Sequence, residues 1–332
     1  MNISSLPIIS TALCLIICWA LFAIFCSFIH EAVAQVKAER GRFMKKYLFQ
    51  QLQDLPNGVN WASLIYLNGS VDLLSRTAEK PTNEIPPDLF SRAFVEVLGS
   101  AHLVQMHKEG LPETDRYKNT LLDNFKVATL VLRPSDVASF LKQALHDAEL
   151  KGNIGGVPDE GLIYQHLLTN IADWFSSFNG RVSYWYKKKT KQRLFLLGIL
   201  LAALLNVDSI RLFNYYNNDP VQKAALISYY NKEQKQLSAI ADSIDTMNSA
   251  GNVSQNSLKN TSIALKSQFD TLTTATSIPI GWPKGIFPKI EGQPIYKSIF
   301  WSLLGILISA FAASFGAPFW FQVIQKIYTP TK

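Results

Sequence analysis

The sequence predicts an all-α integral membrane protein with three transmembrane helices, a helical cytoplasmic domain and an outer helical hairpin. Three observations lead there. Of the 332 residues, 48% are hydrophobic and only 17% charged, against about a quarter charged in an ordinary soluble domain. The mean hydropathy is nonetheless only +0.08, which excludes a polytopic transporter with most of its residues in the bilayer. Finally, three segments hold the roughly 20 mostly apolar residues needed to cross about 30 Å of hydrocarbon.

The first segment, residues 6–29, carries no charge and is followed at once by Lys37, Arg40, Arg42, Lys45 and Lys46. A cleavable signal peptide also begins with an apolar run, and Ala32-Val33-Ala34 before Gln35 resembles a small-x-small cleavage site. No Lys or Arg precedes this run, however, and the basic cluster behind it resists translocation, so the sequence favours a retained anchor. Cys14, Cys18 and Cys26 all fall inside the segment, which leaves no cysteine for a disulfide or thiolate metal site in an aqueous part. They read as helix-packing residues.

Residues 30–193 read as a helical domain. Val33, Val36, Phe43, Tyr47, Leu48 and Leu52 keep helical spacing, which predicts a long helix continuing from the first span to about Asp54 and ending at Leu55-Pro56-Asn57-Gly58. A Pro-rich turn, Lys80-Pro81 to Pro86-Pro87, leads into a helix from Leu89, as Pro at a helix start allows. Ser135 caps a further helix through Leu145, Gly152 to Pro158 forms a loop, and a last helix from Leu162 runs through Trp174 and Phe175 into the second span. The region holds 21 Lys and Arg against 18 Asp and Glu. With the two terminal basic clusters set aside, its interior is acidic, which argues against a nucleic-acid partner.

The second span, residues 194–213, starts abruptly after Lys187, Lys188, Lys189, Lys191 and Arg193. The third, residues 298–321, follows Lys297 and ends in Pro318-Phe319-Trp320-Phe321. Positive charge marks the cytoplasmic side, so the dense clusters predict residues 1–5 outside, 30–193 inside, 214–297 outside, and a cytoplasmic tail at 322–332. Lys284, Lys289 and Lys297 in the outer segment weigh the other way, but less densely. Within 214–297 two amphipathic stretches, Ala225 to Met247 and Leu258 to Leu272, flank Ser249-Ala250-Gly251-Asn252 and predict a helical hairpin. Its apolar seam needs a cover, supplied by the two helices themselves or by a partner.

No G-x-S-x-G, H-E-x-x-H, P-loop or dinucleotide fingerprint occurs, and His30, His102, His107, His146 and His166 lack ligand spacing. Catalytic, cofactor and metal sites are therefore not expected. Asn206, Asp208 and Arg211 interrupt the second span, and ionisable residues inside a membrane are candidates for function by default. Asp208 and Arg211 stand three apart, a spacing that allows them to pair. In the third span Gly305, Ser309 and Ala313 recur every four residues, with Gly316 close by, a stripe that lets helices approach within the chain or between copies. Gly316-Ala317-Pro318 bends or ends that helix.

Several of these segments resemble those of an uncharacterised family of bacterial three-pass inner-membrane proteins. The likeness rests on Lys80-Pro81 with Ile85-Pro86-Pro87, Phe90 and Ala93; Trp174-Phe175 through Arg181-Val182-Ser183-Tyr184-Trp185-Tyr186-Lys187; Asn206-Val207-Asp208-Ser209-Ile210-Arg211-Leu212 with Asp219-Pro220; Pro279-Ile280-Gly281-Trp282; and Gly316-Ala317-Pro318-Phe319-Trp320-Phe321. Asn83-Glu84 stands where that family carries a Tyr-Ile pair, and Gln322 where it carries an Asp. The resemblance implies a bacterial inner membrane and the same three-span layout. The function expected is a non-enzymatic inner-membrane anchor or scaffold that meets lipid, assembles with itself or a membrane protein partner, and relays through its cytoplasmic domain. The alternative is an oligomeric ion channel or membrane-damaging effector gated by that domain.

Overall fold

A computed structural model describes residues 7–75, 77, 79–108, 120–249, 255–282 and 295–328. Among them the chain forms thirteen helices: α1 Pro7–Val36, α2 Glu39–Gln51, α3 Trp61–Leu67, α4 Gly69–Asp72, α5 Pro87–Lys108, α6 Leu121–Val131, α7 Asp136–Lys151, α8 Glu160–Leu205, α9 Ser209–Asn218, α10 Pro220–Ser249, α11 Gln255–Ala275, α12 Ile295–Ser314 and α13 Ala317–Tyr328. Two minimal antiparallel hairpins complete the inventory, β1 Gln53–Asp54 with β2 Val59–Asn60, and β3 Asn153–Ile154 with β4 Val157–Pro158. The all-helical expectation holds. Two helices, α1 and α12, are long and apolar enough to span a membrane, and a third span results if α8 and α9, bent by 55° at their junction, count as one.

The chain divides into two compact units, residues 37–186 and residues 1–36 with 187–332. In the first, α2 to α7 and the beginning of α8 enclose an aromatic core. Phe90 lies flat on Phe175 at 3.9 Å between centroids, and Trp174 stacks on Phe178 at 5.7 Å. Phe90, Phe94, Phe125 and Phe175 are fully buried, each contributing about 1.5–3 kcal/mol by leaving water. Helix starts are capped as the sequence predicts: Ser135 Oγ accepts from the Ala138 amide, and Pro87 opens α5. Thr120 and Asp123 add a capping box on α6.

One difference and two further features stand out in this unit. The long helix expected from His30 to Asp54 breaks at Ala38, a non-glycine residue in the left-handed region at φ 46°, and restarts as α2. Gly41 then lies so close to the Pro81 and Thr82 carbonyls that a Cβ would collide with both. Its amide donates to Asn83 Oδ1 at 3.0 Å, so the Pro-rich segment is docked on α2. The carboxylate of Asp54, 1% exposed, accepts from the Trp61 indole at 3.0 Å and from Asn57 Nδ2 at 2.9 Å. Asn57 in turn bonds both backbone groups of Arg133. A buried carboxylate needs such partners, and these tie the β1–β2 turn to the α6–α7 junction.

In the second unit α1 is the central element, apolar all round and packed by α9, α10, α12 and α13, as a helix without a polar face requires. All three cysteines are buried and free. The third expected span is broken too: α12 ends at Ser314, Gly316 adopts φ +82°, and Pro318 stands in the first turn of α13, where its ring fits. The chain is helical on to Tyr328, past the expected start of the tail at 322. Helices α10 and α11 form the predicted hairpin, whose turn lies from Ala250 on outside the described residues, as do Lys284, Lys289, the first five residues and the last four. The seam of α10, Leu226, Tyr230, Leu237, Ile240 and Ile244, is buried in the same core as α1 and α13.

Candidate functional site

The three polar residues singled out in the second span sit where α8 stops and α9 begins. Asn206 takes the left-handed region at φ 50°, which Asn tolerates better than most side chains. The Val207 amide reaches back to the Ala202 carbonyl at 2.9 Å, and the Asn206 amide to Ala203 at 3.4 Å. This pair of bonds is a Schellman termination. It leaves two carbonyls of the last turn, and the segment Pro279-Ile280-Gly281-Trp282 takes both. The Gly281 amide donates to Leu205 at 2.7 Å and the Trp282 indole to Leu204 at 3.2 Å. All four terminal carbonyls of α8 thereby have a donor.

The staple is reciprocal. Gly281, at φ +93°, turns its own carbonyl towards the break, where it accepts from Asn206 Nδ2 at 2.9 Å and Arg211 Nη1 at 3.0 Å. Asn206 is 2% exposed, and among the described residues its Oδ1 has no hydrogen-bond partner. Asp208 is the N-cap of α9, its Oδ1 accepting from the Ile210 amide at 2.9 Å and the Arg211 amide at 3.2 Å. Its Oδ2 accepts from Ser302 Oγ of α12 at 3.1 Å. The pairing that the i, i+3 spacing suggested for Asp208 and Arg211 is not what forms, because the carboxylate is committed to the helix start while the guanidinium reaches Gly281.

The small-residue stripe of α12 meets this junction. Gly305 lies against Asp208 so closely that a Cβ would overlap the carboxylate. Ser309 Oγ bonds Ser209 Oγ at 2.7 Å, which also accepts from the Trp19 indole of α1 at 2.9 Å. Ala313 is fully buried, and Gly198 of α8 approaches Ala310 so closely that a Cβ would stand 3.2 Å from its backbone, tighter than ordinary contact. Of the two uses that the sequence left open for the stripe, these contacts are within the chain. The opposite face of α12, with Phe300, Leu303, Leu307 and Phe311, is exposed.

The second break is treated alike. The Trp320 indole donates to the Ala312 carbonyl at 2.7 Å, and the Gly316 amide to Ala313 at 3.0 Å, while Trp320 packs on Trp19 at 4.9 Å. Sequence reading flagged Asn206, Asp208, Arg211, Gly305, Ser309, Ala313, Gly316 and Pro318. It missed as site residues Gly281, Trp282, Ser302, Trp19 and Ser209; of these Gly281, Trp282 and Ser209 stand in segments that carry the family likeness. Among the described residues no group of three or more His, Cys, Asp or Glu could hold a metal ion. His102 and His107 carry side chains outside the described residues. No family model matches the chain, and no curated protein or solved structure shows significant similarity to it.

Proposed function

We propose that the chain is a non-enzymatic anchor and scaffold of a bacterial inner membrane. In this reading α1, the α8–α9 pair and α12 cross the bilayer and residues 30–193 lie in the cytoplasm, while α10 of the hairpin expected outside packs along α1 and α13. The observation that carries it is the use made of the intramembrane polar residues. Asn206, Asp208 and Arg211 spend their bonds on holding a broken helix to Gly281 and α12, the work of a packing lock. The basic clusters at 37–46 and 187–193 support the orientation. The uncovered apolar faces of α8, at Leu196, Leu200 and Leu204, and of α12 suit lipid or a membrane protein partner, in a copy of this chain or another protein. The pore alternative needs Asp208 on a lumen. A carboxylate 6% exposed, with three donors on it, gives that reading no support.

The test is a membrane extraction followed by crosslinking in mild detergent and mass determination. The scaffold reading expects the chain in the membrane fraction, together with other copies or companion proteins, and no ion flux after reconstitution in liposomes. Flux that disappears with Asp208→Asn would overturn it in favour of the pore. A monomer without companions would remove the scaffold role.

A further inference from the structure

The unit built on α1 contains a cavity of about 410 Å³, inside the size range of small-molecule sites. It lies between α1, the end of α8, α10 and α11, and its walls are almost entirely apolar, Cys18, Leu237 and Leu265 among them. Among the described residues its polar lining consists of Tyr229, Ser262, Lys266 and Gln268 besides Cys18. Tyr229 and Gln268 are already bonded to each other, the phenol lying 3.0 Å from Gln268 Oε1, and Gln268 Nε2 donates to Gln236 and Glu233. Among the described residues Lys266 is the only charged one of the lining, and it is exposed. The rim carries further exposed apolar side chains, Phe25 at 40% and Phe269 at 59%. Phe25 belongs to the uncharged first span, so this rim meets hydrocarbon if that span is in the membrane.

We infer that this cavity holds an acyl chain of an anionic phospholipid, with the head group on Lys266. Filling an almost wholly apolar cavity with methylene groups gains roughly 0.8 kcal/mol for each one removed from water. A bilayer lipid supplies a chain at the rim laterally. A lone lysine at the edge of an otherwise uncharged cavity selects a negative head group, its stem lying along apolar surface while the ammonium stays in the polar layer. The inference rests on the membrane reading above and goes beyond it, because a scaffold needs no resident lipid.

The experiment is native mass spectrometry of the full chain, extracted in mild detergent and exchanged against phosphatidylglycerol, phosphatidylcholine and free palmitate in separate arms. One phosphatidylglycerol per chain is expected, with at least tenfold less occupancy by phosphatidylcholine. Leu265→Trp, which fills the cavity, is expected to cut lipid retention at least tenfold. Lys266→Glu, an exposed change that spares the core, is expected to abolish the preference for phosphatidylglycerol over phosphatidylcholine while retaining a lipid. Equal lipid on wild type and both variants overturns the inference, as does stoichiometric palmitate without phospholipid. Carbonate extraction of the same cells reads the membrane assignment separately. A chain that stays in the membrane but carries no resident lipid sinks the inference alone, and one released by carbonate sinks the membrane reading.

Discussion

Asp208 and Gly305 make one contact from two sides, and their substitutions are expected to be coupled. Removing the carboxylate in Asp208→Ala takes the cap from α9 and the bond from Ser302, a loss of about 2 kcal/mol. Asp208→Asn keeps an acceptor oxygen and loses less. Gly305→Ala pushes a methyl group into the carboxylate and lowers the melting midpoint in detergent. In the Asp208→Ala background the same methyl group meets vacated space, so the double-mutant cycle is expected to show a coupling of about 1 kcal/mol or more. Additive losses would mean that the two residues do not share the junction. Two titrations belong to this scale as well. The Thr120 hydroxyl and amide hold Asp123 below the usual carboxylate range. A depressed folded value gives stability above the unfolded value and loses it as pH falls, so the protection factors of the amides in the first turn of α6, corrected for the intrinsic exchange rate at each pH, are expected to fall on acidification, and Thr120→Ala to remove that dependence. Burial beside Glu233 pushes the Tyr229 phenol up to about 12. A raised folded value stabilises below the ordinary phenol range, near 10, and the contribution fades as pH climbs through about 12. Tyr229→Phe is expected to flatten that alkaline loss.

At the scale of elements, the docking of the Pro-rich segment on α2 is tested by Gly41→Ala. Its Cβ would meet two backbone carbonyls that cannot rotate away, and a loss of about 1–3 kcal/mol is expected in thermal unfolding, as for overpacking elsewhere. Helix starts were legible in the sequence because a cap is a local signal: Ser135 sits three residues before the amide it bonds. The long apolar helices and the hairpin were legible because apolar length and periodicity are local as well. Asn206, Asp208 and Arg211 marked an interruption of residues 194–213, but the end of the helix there was not legible, because it depends on Gly281 and Trp282 far along the chain. The cover of the hairpin seam escaped for the same reason, since nothing in α10 announces that α1 and α13 will bury it. Asp54 was silent too; an isolated acid after a helix looks solvated until Trp61 and Asn57 close over it.

For the whole molecule, the division into two units makes a direct forecast. Residues 37–186 enclose their own aromatic core, so that segment alone is expected to be soluble, helical by circular dichroism and cooperative in its melt. A molten or aggregated product would show that its core depends on the rest of the chain. Each candidate-site residue read from the sequence proved to lie in the other unit, which separates the packing lock from the domain proposed to face the cytoplasm.

The staple across the helix break also sets an order of events in biosynthesis. Leu204 leaves the ribosome 78 residues ahead of the indole that completes its hydrogen bonding, an interval of roughly 4–16 s at ordinary elongation rates. Through that interval the end of α8 has two carbonyls without their final donors. It is finished only when the hairpin has been made and Gly281 and Trp282 return. A translational pause or truncation before residue 282 would therefore strand the chain with an open helix end, a nascent form that quality control could recognise.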